Sequence, residues 1–100
     1  MAADGATILI VDDEPPIRRL LRTTLSAHEH RILEAANGAE ALSAMRHHRP
    51  DLVLLDLGLP DVDGLDLIAR LRGLAHVPIV VLSSRGDEAA KVAALDSGAD

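Results

Sequence analysis

Short runs of aliphatic residues alternate along the chain with segments in which apolar residues recur every three or four positions. We predict strands at four of these runs, 7–11, 31–35, 52–56 and 79–82. Short aliphatic runs bounded by turn residues are typical of strands that are buried on both faces. The helical segments between them place apolar side chains on one face, at Ile17, Leu20, Leu21 and Leu25, then Ala41, Leu42 and Met45, then Leu67, Ile68 and Leu71.

Local signals support the predicted helix starts. Pro15 and Pro16 are tolerated in a first helical turn, where no backbone N–H is needed. Asn37, with Glu40 three residues later, is typical of a capping box. We expect the arginines of the first helix, at positions 18, 19 and 22, to lie on its solvent side.

The end of the chain continues the same alternation. Gly58, Pro60 and Gly64 lie in the polar loop before the third helix. A fourth helix is predicted to begin at Asp87 or Glu88, to carry Val92, Ala93 and Leu95, and to end at Gly98. Four strands that alternate with helices predict an α/β domain, with a parallel sheet covered by helices on both faces.

Three aspartates follow two of the predicted strands. Asp12 and Asp13 come directly after the first, and Asp56 ends the third. Because the carboxyl ends of parallel strands share one edge of the sheet, we expect these side chains to lie together. Neighbouring carboxylates repel one another unless a cation or protons intervene, and oxygen ligands suit Mg²⁺. The sequence therefore predicts a Mg²⁺ site beside a reactive aspartate.

Composition narrows the class of protein. The 100 residues include no Cys and no aromatic residue, and the net charge is −6. This charge argues against a large nucleic-acid footprint on this segment, and a chain without aromatic rings cannot stack bases. The lack of Cys fits a reducing, cytoplasmic location. No apolar stretch approaches the ~20 residues of a membrane span, so no membrane insertion is expected.

Three motifs in register resemble a bacterial response-regulator receiver domain. They read V-D-D-E at 11–14, L-L-D-L-G-L-P-D-V-D-G at 54–64 and I-V-V-L-S-S-R at 79–85. The resemblance covers essentially the whole chain. Within the family it is greatest to the OmpR/PhoB branch, and there to regulators of potassium transport. It implies a flavodoxin-like, doubly wound parallel sheet in the strand order 2-1-3-4-5, an order of which receiver proteins are themselves a standard example.

The resemblance also implies a role for each site residue. Asp56 is similar to the phospho-accepting aspartate, and Ser83 to the switch hydroxyl that bonds a phosphoryl oxygen. Asp12, Asp13 and Asp56, with the backbone carbonyl of Gly58, are similar to the family's Mg²⁺ ligands. Ser84 is an alternative to Ser83 as the residue that provides the switch hydroxyl. Glu14 is either a helix cap or a charge that tunes the metal site, and the histidines form no spacing typical of ligands. A calcium loop at Asp61, Asp63 and Asp66 is not favoured, because the glycine and glutamate spacing of an EF-hand is absent.

One departure from the family pattern concerns the end of the chain. Receivers continue into a fifth strand with a phosphate-pairing lysine, whereas the one lysine here is Lys91, in the predicted fourth helix. Residues 1–100 are therefore expected to be a receiver domain that is incomplete at its C-terminus, without the winged-helix DNA-binding domain of the OmpR/PhoB branch. If a protein truly ended at Asp100, its fourth strand would be an open edge, and we would expect it to self-associate or to fold poorly.

The expected function is that of a phosphoacceptor in a two-component phosphorelay. A sensor histidine kinase would donate the phosphoryl group to Asp56 with Mg²⁺, and phosphorylation would control dimerisation and transcription. The chain is not expected to be an enzyme, beyond self-phosphorylation from small donors and autodephosphorylation. Two alternatives stay open: a scaffold that binds partners without phosphorylation, and a Mg²⁺-dependent aspartyl-phosphate phosphatase. The second would need an aspartate at position 58, which is Gly.

Overall fold

The computed structural model describes residues 5–82, which form seven elements in alternating order. They are β1 (Thr7–Val11), α1 (Pro15–Ser26), β2 (Arg31–Ala35), α2 (Gly38–His48), β3 (Leu52–Leu55), α3 (Gly64–Leu74) and β4 (Ile79–Val81). The predicted bounds of β1 and β2 are confirmed, and β3 and β4 each end one residue earlier than predicted. The predicted fourth helix lies outside the described residues. Within residues 5–82, no helix is long and apolar enough to cross a membrane.

The strands form a parallel sheet in the order β2-β1-β3-β4. This order confirms the predicted arrangement as far as the described strands extend. Val11, the last residue of β1, is in register with Ala35 of β2 and with Leu55 of β3. Leu55 is in turn in register with Val81 of β4. The carboxyl ends of the four strands therefore lie along one edge of the sheet.

Alternate residues of β1, β2 and β3 enter two separate hydrophobic clusters, whereas β4 contributes only to the larger one. Leu9 and Val53 are fully buried in the larger cluster, which α2 and α3 cover. Ile8 and Ile10 point to the other face, where Leu21 and Leu25 of α1 pack against them. The predicted core positions of α2 and α3 are confirmed, with Leu42 partly buried and the others fully buried: Ala41, Met45, Leu67, Ile68 and Leu71.

Helix α1 is rotated relative to the prediction. Ile17 and Leu20 were expected to face inward, but they are 36% and 62% exposed. Among the described residues of α1, Leu21 and Leu25 pack against the sheet, and the adjacent side of the helix carries Arg18 and Arg22, which bind Glu34 of β2. The rotation also turns Arg18 toward the protein, so its side chain is only 18% exposed and does not lie on the solvent side.

The starts of α2 and α3 are capped by side chains. Asn37 Oδ1 accepts a hydrogen bond from the backbone N–H of Glu40, as the capping box predicts. The carboxylate of Glu40 accepts from the N–H of Ala36, one residue before the usual position. Asp63 caps α3 by accepting from the N–H of Leu65. These polar residues define where each helix begins.

An ion-pair network joins α1 to the edge strand β2. Arg18 and Arg22, one turn apart, both donate to the carboxylate of Glu34. The hydrogen bond from Arg22 is the largest cause of a lowered pKa at Glu34, and the charges of both arginines act in the same direction, against the effect of burial. The ionised carboxylate is therefore stabilised in the folded protein.

We expect the Glu34→Gln substitution to lower the free energy of unfolding at pH 7 by about 0.2–1 kcal/mol, the range of solvent-exposed ion pairs. Because the pKa of Glu34 is lowered on folding, the ionised carboxylate contributes to the free energy of unfolding above the usual pKa of 4.5. This contribution is lost as the pH falls from 4.5 through the lower pKa of the folded protein. Urea unfolding followed by circular dichroism should show a difference from wild type at pH 7 that becomes smaller as the pH falls below 4.5. Exposed Glu29, changed to Gln, is the control. An undiminished difference in acid would contradict the prediction.

Candidate functional site

The parallel register brings the three predicted aspartates together. Asp12 directly follows β1, and its backbone N–H donates to the carbonyl of Ala35 at 3.0 Å. Asp56 directly follows β3, and its N–H donates to the carbonyl of Val11 at 2.9 Å. One carboxylate oxygen from each of Asp12, Asp13 and Asp56 lies within 4.8 Å of the others. The hydrogen bonds between the strands thus continue one residue past the ends of β1 and β3, and they bring the carboxylates together.

Asp12 is the most deeply placed of these carboxylates, with 5% of its surface exposed. Its Oδ1 accepts a hydrogen bond of 2.8 Å from the N–H of Glu14. Burial is the largest cause that raises the pKa of Asp12, and repulsion from Asp56, Glu14 and Asp13 adds to it, while the hydrogen bond from Glu14 opposes it. A cation beside Asp12 would relieve both the lost solvation and the repulsion.

Asp56 faces a small cleft. The cleft has a volume of about 90 Å³ and is lined by Asp12, Glu14, Ile17, Asp56 and Leu82. One oxygen of Asp56 accepts from the N–H of Gly58 at 3.1 Å, and no described residue donates a hydrogen bond to the other. The hydrogen bond holds the side chain in one orientation, and the second oxygen is left available for chemistry.

The donor set fits Mg²⁺. The three clustered side chains all offer carboxylate oxygen, the ligand atom that this ion takes in proteins. Asp12 is buried, Asp56 is half-buried and Asp13 is exposed, so one side of the cluster is open to water and to an anionic ligand. The hydrogen bond to Asp56 places the backbone of Gly58 beside the cluster, and its carbonyl as a ligand stays a prediction.

The structure argues against one of the two roles considered for Glu14. Glu14 occupies the N-cap position of α1, but its side chain makes no capping hydrogen bond. Burial is the largest cause that raises the pKa of Asp12 and the charge of Glu14 adds to it, while a tuning role of Glu14 at a metal site stays a prediction. Ser83 and Ser84, the two candidates for the switch hydroxyl, lie outside the described residues, as does Lys91.

Arg18 is a residue of the site that sequence reasoning missed. Its Nη1 donates a hydrogen bond of 2.7 Å to the backbone carbonyl of Asp12, while its Nε binds Glu34. The guanidinium therefore fixes the turn that carries the acidic pair. The helical spacing of Arg18 and Arg22 indicates a shared face. Only the tertiary structure shows that this face meets Glu34 and the end of β1.

Asp61 and Asp63, considered above for a calcium loop, bind two different helices instead. Asp61 accepts hydrogen bonds from the N–H groups of Gly38 and Ala39, at the start of α2. Asp63 caps α3. The cap at Asp63 could be recognised from its position directly before a predicted helix. The contact of Asp61 could not, because its partners lie more than twenty residues earlier in the chain.

A family model described as "Response regulator receiver domain" matches residues 8–100. Among curated proteins, the transcriptional regulatory protein KdpE of Mycobacterium tuberculosis is 50% identical over 93 residues, which are 93% of this chain and 41% of KdpE. The KDP operon regulator KdpE of Escherichia coli has the same identity and coverage. The chain thus spans about two fifths of the length of these relatives.

Solved structures show the same similarity. The BeF3-activated receiver domain of RstA from Klebsiella pneumoniae is 34% identical, with a TM-score of 0.88 over 93% of this chain and 80% of that one. A two-component response regulator from Clostridium difficile is 29% identical, with a TM-score of 0.92 over 95% of this chain and 78% of that one. Both match the chain almost throughout.

We expect the Asp12→Asn substitution to stabilise the metal-free protein at pH 7. The amide keeps an oxygen for the N–H of Glu14 but carries no charge in the buried cluster. The pKa of Asp12 is raised on folding, so the protonated carboxyl group favours the folded state. This contribution to the free energy of unfolding is complete below the usual pKa of 3.8 and is lost as the pH rises through the pKa of the folded protein. Thermal melts in the presence of a chelator should therefore show that Asp12→Asn raises the melting temperature relative to wild type by more at pH 7 than at pH 3.5.

Exposed Asp66, changed to Asn, is the matched control for the loss of one carboxylate. A lower melting temperature for Asp12→Asn than for this control at pH 7 would contradict the prediction, since it would mean that the ionised carboxylate is favourable in the folded state.

Proposed function

Because the chain belongs to the response regulator receiver domain family, we propose that Asp56 is its phosphoacceptor. The observation that carries this proposal is the position of Asp56, which lines a cleft together with Asp12 and has one carboxylate oxygen held by the N–H of Gly58. A carboxylate in this position can act as a nucleophile.

The proposed reaction transfers a phosphoryl group to the free oxygen of Asp56. This oxygen attacks the phosphorus of the donor, a new oxygen–phosphorus bond forms, and the bond to the leaving group breaks with its electron pair going to the leaving group. The product is an acyl phosphate, which water later hydrolyses. Asp12, Asp13 and Asp56, with the carbonyl of Gly58, would hold Mg²⁺. This ion would supply positive charge to offset the phosphoryl oxygens.

The phosphoryl donor, the role of Ser83 and the output are proposed from membership of the family. A sensor histidine kinase would supply the phosphoryl group, and the hydroxyl of Ser83 would bind a phosphoryl oxygen afterwards. The KdpE relatives are transcriptional regulators of which this chain spans about two fifths. Their remaining length supports a further, C-terminal domain that binds DNA, with dimerisation on phosphorylation as the output. A regulator of this kind would act in the cytoplasm.

Two features weigh against the alternatives. A phosphatase with an aspartyl-phosphate would need a general acid at position 58, where Gly offers only its backbone. A scaffold independent of phosphorylation has no use for three carboxylates whose mutual repulsion raises the pKa of Asp12. Acidic side chains at this point favour a site that handles a cation and a phosphoryl group.

Acetyl phosphate with Mg²⁺ should add one phosphoryl group to Asp56 of the full-length protein. Intact-mass spectrometry should show a single adduct that hydroxylamine removes, as expected for an acyl phosphate, and that is absent from Asp56→Asn. Exposed Asp66→Asn, which removes the same charge elsewhere, should be modified like wild type. Full modification of Asp56→Asn would assign the phosphoacceptor to another residue, with Asp12 and Asp13 the first to examine.

Mg²⁺ should stabilise the fold through the same residues. At ten times its dissociation constant, the ion adds about 1.4 kcal/mol to the free energy of unfolding. The Asp13→Asn substitution should remove most of this gain, because it deletes an exposed ligand while leaving the buried Asp12 in place. Melts followed by circular dichroism, with Mg²⁺ or with a chelator, measure the difference. Equal melting temperatures of the wild-type protein in both conditions would exclude a Mg²⁺ site.

A further inference from the structure

The loop between β3 and α3 begins at the proposed phosphoacceptor and is tied down at several points. Near its start, the N–H of Gly58 binds Asp56. Further along, Asp61 uses both carboxylate oxygens, accepting from Gly38 N–H at 2.8 Å and from Ala39 N–H at 3.2 Å. At its end, Asp63 caps α3. Apart from the bond of Asp56 N–H to Val11 at the start of the loop, the tie at Asp61 is the one of these that joins the loop to a distant part of the described chain.

Side-chain packing presses the loop against α2 at the same place. Val62 lies directly over Gly38, the first residue of α2. A Cβ added at Gly38 would be 2.3 Å from Cγ1 of Val62, which is less than any real contact, and 3.4 Å from Oδ1 of Asp61. The glycine therefore allows the loop to approach the helix backbone closely enough for the hydrogen bonds of Asp61 to form.

Helix α2 has determinants of its start besides Asp61. Asn37 already accepts the N–H of Glu40, and Ala41 and Met45 are buried in the main core. The hydrogen bonds that Asp61 accepts therefore link the loop to a helix start that already has a cap at Asn37. The bond from Gly38 is the largest cause of a lowered pKa at Asp61, so the carboxylate is ionised at neutral pH and remains a strong acceptor.

We infer that Asp61 is a positioning residue that ties the loop after Asp56 to the start of α2, and so sets the backbone at Gly58 for metal binding and phosphoryl transfer. The inference rests on the proposed function. Only Leu59 and Pro60 separate Gly58 from Asp61. Leu59 is 9% exposed in the main core, and the ring of Pro60 restricts its own backbone. This short, stiff connection passes a displacement at Asp61 on to Gly58.

The test compares Asp61→Ala and Asp61→Asn with the control Asp66→Ala in the full-length protein. The control removes an exposed carboxylate from the first turn of α3. Initial rates of phosphorylation by acetyl phosphate are measured at saturating Mg²⁺, well below each melting temperature, and Mg²⁺ affinity is measured by calorimetry. We expect Asp61→Ala to lower the rate about tenfold, because small misplacements of reacting groups are costly, and to weaken Mg²⁺ binding. Asp61→Asn keeps one acceptor oxygen and should recover most of the rate.

Gly38→Ala provides a second variant that leaves the charge of Asp61 intact. Its Cβ would push Val62 away from α2, and we expect a loss of rate like that of Asp61→Ala. Faster hydrogen exchange at the amides of residues 38 and 39 would show that the tie is broken. Rates for Asp61→Ala and Gly38→Ala equal to that of Asp66→Ala would overturn the inference. A wild-type protein that takes no phosphoryl group would instead overturn the proposed function.

Discussion

Parallel pairing of β1 with β3 is the constraint on which the site depends. Val11 and Leu55 are in register, and the next N–H along β3, that of Asp56, binds the carbonyl of Val11. A shift of one residue in this pairing would turn the aliphatic side chains of β3 to the opposite face of the sheet. It would also separate Asp56 from Asp12. The packing of Val53 and Leu55 in the main core therefore holds the proposed nucleophile beside the acidic pair.

The clustered carboxylates that would bind a cation also lower the stability of the metal-free fold. Burial and neighbouring charges raise the pKa of Asp12, so ionisation of this carboxyl group is less favourable in the folded protein than in the unfolded chain. The surrounding structure compensates with polar contacts that end at the same point: the N–H of Glu14 at the side chain, and the guanidinium of Arg18 at the backbone carbonyl. The same unfavourable charge is what a cation would relieve. An acidic cluster of this kind is thus costly without a ligand and selective for one that is positive.

The sequence predicted the elements whose signals are local. Aliphatic runs located β1 and β2 to the residue, and the strand ends indicated where Asp12, Asp13 and Asp56 would meet. Features set by packing between distant segments were not predictable in this way. The exposure of Leu20 depends on how α1 is turned against the sheet, and the contact between Asp61 and Gly38 depends on the path of a loop. Periodicity identifies an apolar face, but its extent of burial is decided by the neighbours.

The strand order has a consequence for synthesis of the chain. Strand β1 is made first, yet it lies inside the sheet, with Ile8 paired to Ile32 on one side and to Leu52 on the other. Both edges of β1 are therefore paired only after the ribosome has passed Leu55. At about 5–20 residues per second, this leaves an aliphatic strand with an open edge for roughly two to nine seconds. During that interval the nascent chain has an edge that can pair with another chain or be covered by a chaperone.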